Sequence, residues 1–459
     1  MNTFSLFHSL RNPTFARLYA AQTTNLIGDA LTWVGLALLA FELAGKDSGI
    51  VLSGALTLRV SAFVLLSPLA GAIADRFDRK RIMVVTHLAR MLIVSLLLFV
   101  SQVWQIYAIV LALNVFYAFF TPTYTATIPL VTGSAEYPQA IALSSATFQL
   151  LGVLGPGLAG AVAAFIGARQ VFFLDALSFL VAAMLLVTLP GELRIDQNRQ
   201  SVRTVSRTLQ DIKAGTTRLF ADAPIRYALA MQLVASITGA QILVNTVGYV
   251  QGTLALGKVE YGWVMAVFGI GATLASIAFG NFNQRFARTT FIGVGAALIS
   301  LALLPANSAG LVPLMLLWLM AGVGQSWVNL PTQTLIADRI PTEFQGRVYG
   351  AHFAWSHLWW AFAYPIAGWL GSHQPTQMFF YGSLIGLVLL VTVQLTLSHP
   401  EPVHRHESYW HDHEHRHDES HQHKHHPGIL ASEPHTHPHQ HAAFRHVHLY
   451  AEMHHHGHR

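Results

Sequence analysis

The chain has no cysteine among its 459 residues, which excludes disulfides, thiolate metal sites and iron–sulfur clusters. Charge is the second scarcity. Asp, Glu, Lys and Arg make up 11% of the sequence against about 25% in soluble proteins, and hydrophobic residues reach 53%. Lipid is therefore the expected solvent, and the 35 glycines fit helices that approach closely within it. No phosphate-cradling loop is visible, so nucleotide hydrolysis is not the expected energy source, and runs such as Gly269-Ile-Gly271 sit inside apolar stretches as packing positions. No constellation of nucleophile, base and orienting acid is visible either, so the chain does not read as an enzyme. The N-terminal stretch lacks a short apolar run ending in a small-residue cleavage site, so no removable leader is expected. The basic residues fall in short loops between apolar runs, where they act as topology signals rather than as a nucleic-acid surface.

A membrane span needs about 20 apolar residues. Such stretches occur near 18–43, 50–73, 82–101, 104–127, 138–166 and 170–190, then near 225–251, 260–282, 289–305, 311–335, 348–371 and 376–397. The lysines and arginines gather on one side of this twelve-span arrangement, at Arg11, Arg17, Arg79, Lys80, Arg194, Arg207, Arg285 and Arg339 among others. The opposite loops carry little beyond Lys46, Arg169 and Lys258. Both termini are expected in the cytosol, and the lipid bilayer is the expected surrounding. The division predicted is a six-helix half over 1–190, a connector over 191–224, a second half over 225–397 and a disordered hydrophilic tail over 398–459.

The loop Gly71-Ala-Ile-Ala-Asp75-Arg76-Phe77-Asp78-Arg79-Lys80-Arg81 joins spans 2 and 3. A degenerate copy, Gly280-Asn-Phe-Asn-Gln284-Arg285-Phe286-Ala287-Arg288, lies in the second half. The first loop resembles the signature of the major facilitator superfamily. That resemblance implies an all-α membrane protein of two pseudo-symmetric six-helix bundles rocking about a central site. It further implies that Gly71, Asp75, Arg76 and Arg79 latch one conformation. Span 5 contains Gly152-Val-Leu-Gly155-Pro156-Gly157-Leu-Ala159-Gly160, which resembles the antiporter motif of that superfamily, with Ala159 where glycine is usual. Through Gly155, Pro156 and Gly160 it implies export coupled to protons.

In that superfamily the first and fourth helices of each half line the cavity, and polar faces occur there. Span 1 offers Gln22, Asn25 and Asp29, and span 4 offers Asn114, Tyr117 and Thr121. Span 7 offers Gln241 and Asn245, and span 10 Gln325, Asn329 and Gln333. Ionisable residues inside hydrocarbon are costly and mark functional sites. Asp29, Arg59 and Asp175 are the candidates for transport and coupling, with Asp29 as the proton carrier and Arg59 as its counter-charge. Arg90 and His87 are expected to snorkel toward the cytosolic end. His352 and His357 in span 11 lie roughly 140° apart on a helix and cannot form a helical chelate, so each is a separate candidate for contact with substrate.

The last segment holds 20 of the 26 histidines. They are His404, His406, His411, His413, His415, His417, His421, His423, His425, His426, His435, His437, His439, His441, His446, His448, His454, His455, His456 and His458. Imidazole suits nickel, cobalt and zinc, and composition alone leaves those three open. A superfamily exporter core with such a tail resembles the bacterial nickel-resistance efflux proteins. That resemblance implies export of a divalent metal ion, nickel preferred, from the cytosol across the bacterial inner membrane, with protons as partner. No cofactor, nucleic acid or obligate protein partner is expected. Export of an organic compound or a metal chelate such as a siderophore is the alternative, and a membrane-tethered metal store a further one.

Overall fold

The computed structural model describes residues 7–74, 77–167, 169–191, 205–282 and 286–397, with tail segments 403–406, 409–415, 435–441 and 444–447. In the first half the helices are α1 (Pro13–Ala44), α2 (Ser48–Ala74), α3 (Arg79–Ser95), α4 (Val103–Ile166) and α5 (Gln170–Val187). A connector helix, α6 (Val205–Ala221), leads to α7 (Ala223–Gly248), α8 (Lys258–Phe282), α9 (Arg288–Leu303), α10 (Leu311–Arg339), α11 (Thr342–His373) and α12 (Met378–Leu397).

Local chemistry sets the boundaries. Asn12 accepts hydrogen bonds from the amides of Thr14 and Phe15, and Pro13 opens α1 where no amide is needed. Asp78 caps α3 through the Lys80 amide, and Asp222 caps α7 through Ile225. The 64 residues of α4 contain two of the expected spans, joined through Gly133 at φ 68°. That left-handed backbone costs glycine nothing, so the chain turns there without an intervening loop.

Nine described stretches are long and apolar enough to cross a membrane, the first of them, Pro13–Leu66, holding two helices. The polar-faced α11 is not among them, and the architecture is consistent with twelve spans. Burial is inverted relative to a water-soluble protein. Phe165, Leu395 and Phe99 are 89%, 81% and 78% exposed, whereas Asn25 and Gln241 are fully buried. Apolar side chains facing outward over this extent suit lipid.

One end of the bundle, here called proximal, is fastened by Asn12 to the Val131 carbonyl, Arg17 to Thr188 and Lys80 to Leu189. In the second half Arg339 bonds both oxygens of Asp222 there, and Arg288 pairs with Asp338. At the distal end Arg169 binds Glu42 and the carbonyls of Leu98 and Val100, and Tyr249 bonds the Ala309 carbonyl. The halves meet closely at this end. A Cβ on Gly160 would strike the Gly262 carbonyl, one on Gly368 would strike Ser53, and Lys258 reaches Glu42 at 3.9 Å.

Two parts of the chain lie outside the expected spans. The polar connector contains helix α6, held on α11 by Gly215 against the Arg347 backbone, by Trp355 donating to Thr216, and by Arg218 over the Phe344 ring. Its polar side chains leave an apolar stripe that α11 covers. The tail, expected to be disordered, carries strands β1 (Val403–His406), β2 (Tyr409–His415), β3 (His435–His441) and β4 (Phe444–Val447). β1 pairs antiparallel with β4 and β2 with β3. The β2–β3 register sets His411 opposite His439, His413 opposite His437 and His415 opposite His435. Alternation of histidine with other residues, which gives no helical face, matches the two-residue repeat of a strand.

Candidate functional site

Asn25 and Asp29 stand one turn apart on α1, a spacing that puts both on one helical face. Arg90 reaches them from α3, donating to Asn25 Oδ1 at 2.9 Å and to Asp29 Oδ1 at 2.5 Å. Its guanidinium also lies 4.2 Å from the Phe179 ring centroid and 5.0 Å from that of Tyr117. Arg90 sits eleven residues into α3, about 16 Å along the axis at 1.5 Å per residue, too deep to snorkel. The expected partner of Asp29 was Arg59, and the structure replaces it with Arg90.

Asp175 on α5 forms a second acidic position. It is 1% exposed and accepts hydrogen bonds from Thr32 of α1 and Ser178 of its own helix. Gly28 makes this approach possible, because a Cβ there would meet the Asp175 carboxylate and the Ser178 hydroxyl. Asp29, Asp175, Arg59 and Arg90 line one cavity with Trp33 and Tyr117. Two acids and two guanidinium groups thus share a partly desolvated space. There a pair at 4 Å is worth about 4 kcal/mol at an effective dielectric constant of 20. Asn114 faces the same cavity, while its amide donates to the Val110 carbonyl.

The second half supplies a polar network of neutral groups. Asn245 donates to Gln241 and to the Ala367 carbonyl, with Gly49 and Gly371 packed against its side chain. Gln325 lies against Gly239 with its Oε1 buried and unpartnered. Gln232 joins Asn329 at 3.5 Å to His352 at 2.8 Å. His357 points elsewhere, donating to the Phe353 carbonyl and lying on the rings of Phe353 and Phe63. The two histidines therefore make separate contacts, as their angular separation requires. Among the described residues, no three His, Asp or Glu side chains come together as a metal site.

Residues 4–416 match the model of the family described as transmembrane secretion effector, a branch of the major facilitator superfamily. The chain belongs to that family. It is 27% identical over 351 residues to the uncharacterized transporter YfiS of Bacillus subtilis, covering 73% of this chain and 81% of the relative. It is 26% identical over 388 residues to the multidrug efflux pump Tap of Mycolicibacterium fortuitum, covering 79% and 91%. The crystal structure of nucleoside transporter NupG superimposes with a TM-score of 0.65 at 14% identity, over 84% of this chain and all of NupG. These likenesses establish a multi-pass membrane transporter of the efflux type, not an enzyme.

The major facilitator motifs take definite places where they are described. Arg79 is buried and donates to the Ala126 carbonyl of its own half, while Lys80 fixes the end of α5. Gly71 lies in the last turns of α2, and Asp75 and Arg76 fall outside the described residues. In the antiporter motif Gly155 abuts Ala30 of α1 and Gly160 abuts α8, so this face of α4 joins α1 to the other half. Pro156 lies within α4, and the break in that helix is upstream at Gly133.

Sequence reading missed Arg90, Thr32, Ser178 and Gln232 as members of these networks. It also missed the burial of His87, which lies between Phe120 and Phe179 with neither ring nitrogen bonded. The signal for Arg90 was present, since a guanidinium in the middle of an apolar span is a functional candidate. α3 begins at Arg79 rather than near 82, which sets Arg90 deeper in the helix than the expected span implies.

Proposed function

We propose that this transporter is a proton-coupled exporter of a divalent transition metal, nickel preferred, with cobalt and zinc as further cargo. It works across the bacterial inner membrane with its proximal end, both termini and tail in the cytosol. The observation that carries proton coupling is the Asp29–Arg90 pair inside the cavity. An ionisable carboxylate inside a membrane span is costly and is a candidate carrier of the coupling ion. A proton on Asp29 cancels its attraction for Arg90, and the guanidinium then retains Asn25 and two aromatic faces. That change in a contact between α1 and α3 is the step that biases one arrangement of the halves over the other. Asp175, tied to α1 through Thr32, is the second position for a proton.

The tail supports metal as cargo. Its paired histidines, tethered to the transporter on the cytosolic side, would raise the local concentration of a captured ion without forming the path itself. The positive-inside rule supports the orientation, because Arg17, Lys80, Arg288 and Arg339 all lie at the proximal end.

A second reading, export of an organic compound or metal chelate with the tail as sensor or buffer, is favoured by the cavity itself. Its neutral polar groups are Thr32, Asn114 and Tyr117, its walls carry the rings of Trp33 and Phe179, and relatives such as Tap are named for drugs. Everted membrane vesicles separate the readings. With an imposed proton gradient, accumulation of radioactive nickel that a protonophore abolishes supports metal export. Dye accumulation without nickel accumulation would establish the second reading and refute the first.

A further inference from the structure

The cavity holds one cation that the coupling pair does not use. Arg59 of α2 lines it with its guanidinium 4.2 Å from the centroid of the Trp33 ring. Among the described residues it makes no ion pair and no hydrogen bond. Asp29 lies within its electrostatic reach but is already bonded to Arg90, and Asp175 is already bonded to Thr32 and Ser178. A guanidinium carries five donors in a planar fork that fits a carboxylate at two points. Here the fork is held against an aromatic face inside a cavity, with all five donors unused.

The charge count of the cavity points the same way. Two acids and two guanidinium groups balance while both acids are ionised. Each proton delivered to Asp29 or Asp175 then leaves the cavity with one more net positive charge. A bare divalent cation would meet its strongest repulsion in the protonated state, and it finds no three-ligand set among the described core residues. A cargo bearing a carboxylate meets the opposite field, and a metal can enter with it as a chelate.

We infer that Arg59, backed by Trp33, is the binding residue for a carboxylate group on the cargo, so that metal leaves as an anionic carboxylate chelate rather than as a bare ion. This inference rests on the proposal that metal is the cargo, takes the chelate form named in the second reading, and assigns the charge class of what the same cavity accepts. Asn114 and Tyr117 border the position and can receive the remaining polar and apolar parts of such a ligand.

The test uses everted vesicles containing the full chain, an imposed proton gradient, and radioactive nickel supplied either as the chloride or as the citrate complex. Protonophore-sensitive accumulation is compared for the unaltered chain, Arg59→Gln and Arg59→Lys, each normalised to the amount of folded protein in the membrane. The expected result is accumulation that requires citrate, falls tenfold or more in Arg59→Gln, and returns in part in Arg59→Lys. Accumulation from nickel chloride that is equal in the unaltered chain and Arg59→Gln would overturn the inference while leaving metal export standing. Accumulation from neither form in the unaltered chain would overturn metal export, and the chelate with it.

Discussion

Arg90 of α3 bridges Asn25 and Asp29 of α1 with one nitrogen on each, across helices that share no loop. The ion pair is buried, with 4% and 19% of the two side chains exposed. Removing one partner of such a pair leaves an uncompensated charge. Arg90→Ala should destabilise the protein by about 3–5 kcal/mol, read as a lowered melting temperature in detergent. The double substitution Asp29→Asn with Arg90→Gln should recover much of that loss, because neither charge is then stranded.

How far the sequence discloses this site depends on what each residue's neighbours contribute. Polar faces on spans 1, 4, 7 and 10 are legible because helical periodicity places them. Asn25, Asp29 and Asn245 do face their networks. The choice of Arg90 over Arg59 is not legible. Both are single arginines in apolar helices, and only the tertiary approach of α1, α3 and α5 decides which one reaches the acid. The strands of the tail escape for a related reason, since pairing joins residues twenty or more positions apart. The kink at Gly133 escapes because an isolated glycine between two spans reads equally well as loop or helix.

Gly28 is the contact that lets α5 bring Asp175 to Thr32. Gly28→Ala should cost about 1–3 kcal/mol through overpacking, visible as a lower melting temperature. An equivalent change at Gly152, where an added Cβ meets nothing within 4 Å, should show no such loss from overpacking.

The Lys258–Glu42 contact spans the two halves at the distal end. The chain has no cysteine, so Glu42→Cys with Lys258→Cys gives a clean pair. Oxidation or a short bifunctional reagent should hold that end closed and reduce transport by roughly tenfold or more, with recovery when the link is reversible and reduced. Either single cysteine should be insensitive to the same treatment.

The tail should lose metal as pH falls. Imidazole has a reference pKa of about 6.5, and only its neutral form is a ligand, so nickel bound at pH 7.5 should be released between about pH 7 and 5.5. The β2–β3 register adds a positional expectation. Directly opposed residues have Cβ atoms about 4.5–5.5 Å apart. Replacing His411, His413 and His415 should therefore weaken nickel binding several-fold more than replacing His421, His423 and His425, measured by equilibrium dialysis on the full-length protein. Truncation before His404 should lower nickel resistance in cells without abolishing it, whereas a pure metal store would lose all protection.

The most direct test of proton coupling is to separate exchange from accumulation in one variant, Asp29→Asn, reconstituted in vesicles at normal abundance. Without a gradient, the variant should still exchange radioactive cargo for unlabelled cargo, because exchange requires no net movement of a proton. With a proton gradient, it should fail to accumulate cargo. Gradient-driven accumulation by Asp29→Asn equal to that of the unaltered chain would contradict the assignment of Asp29 as the residue that carries the coupling proton.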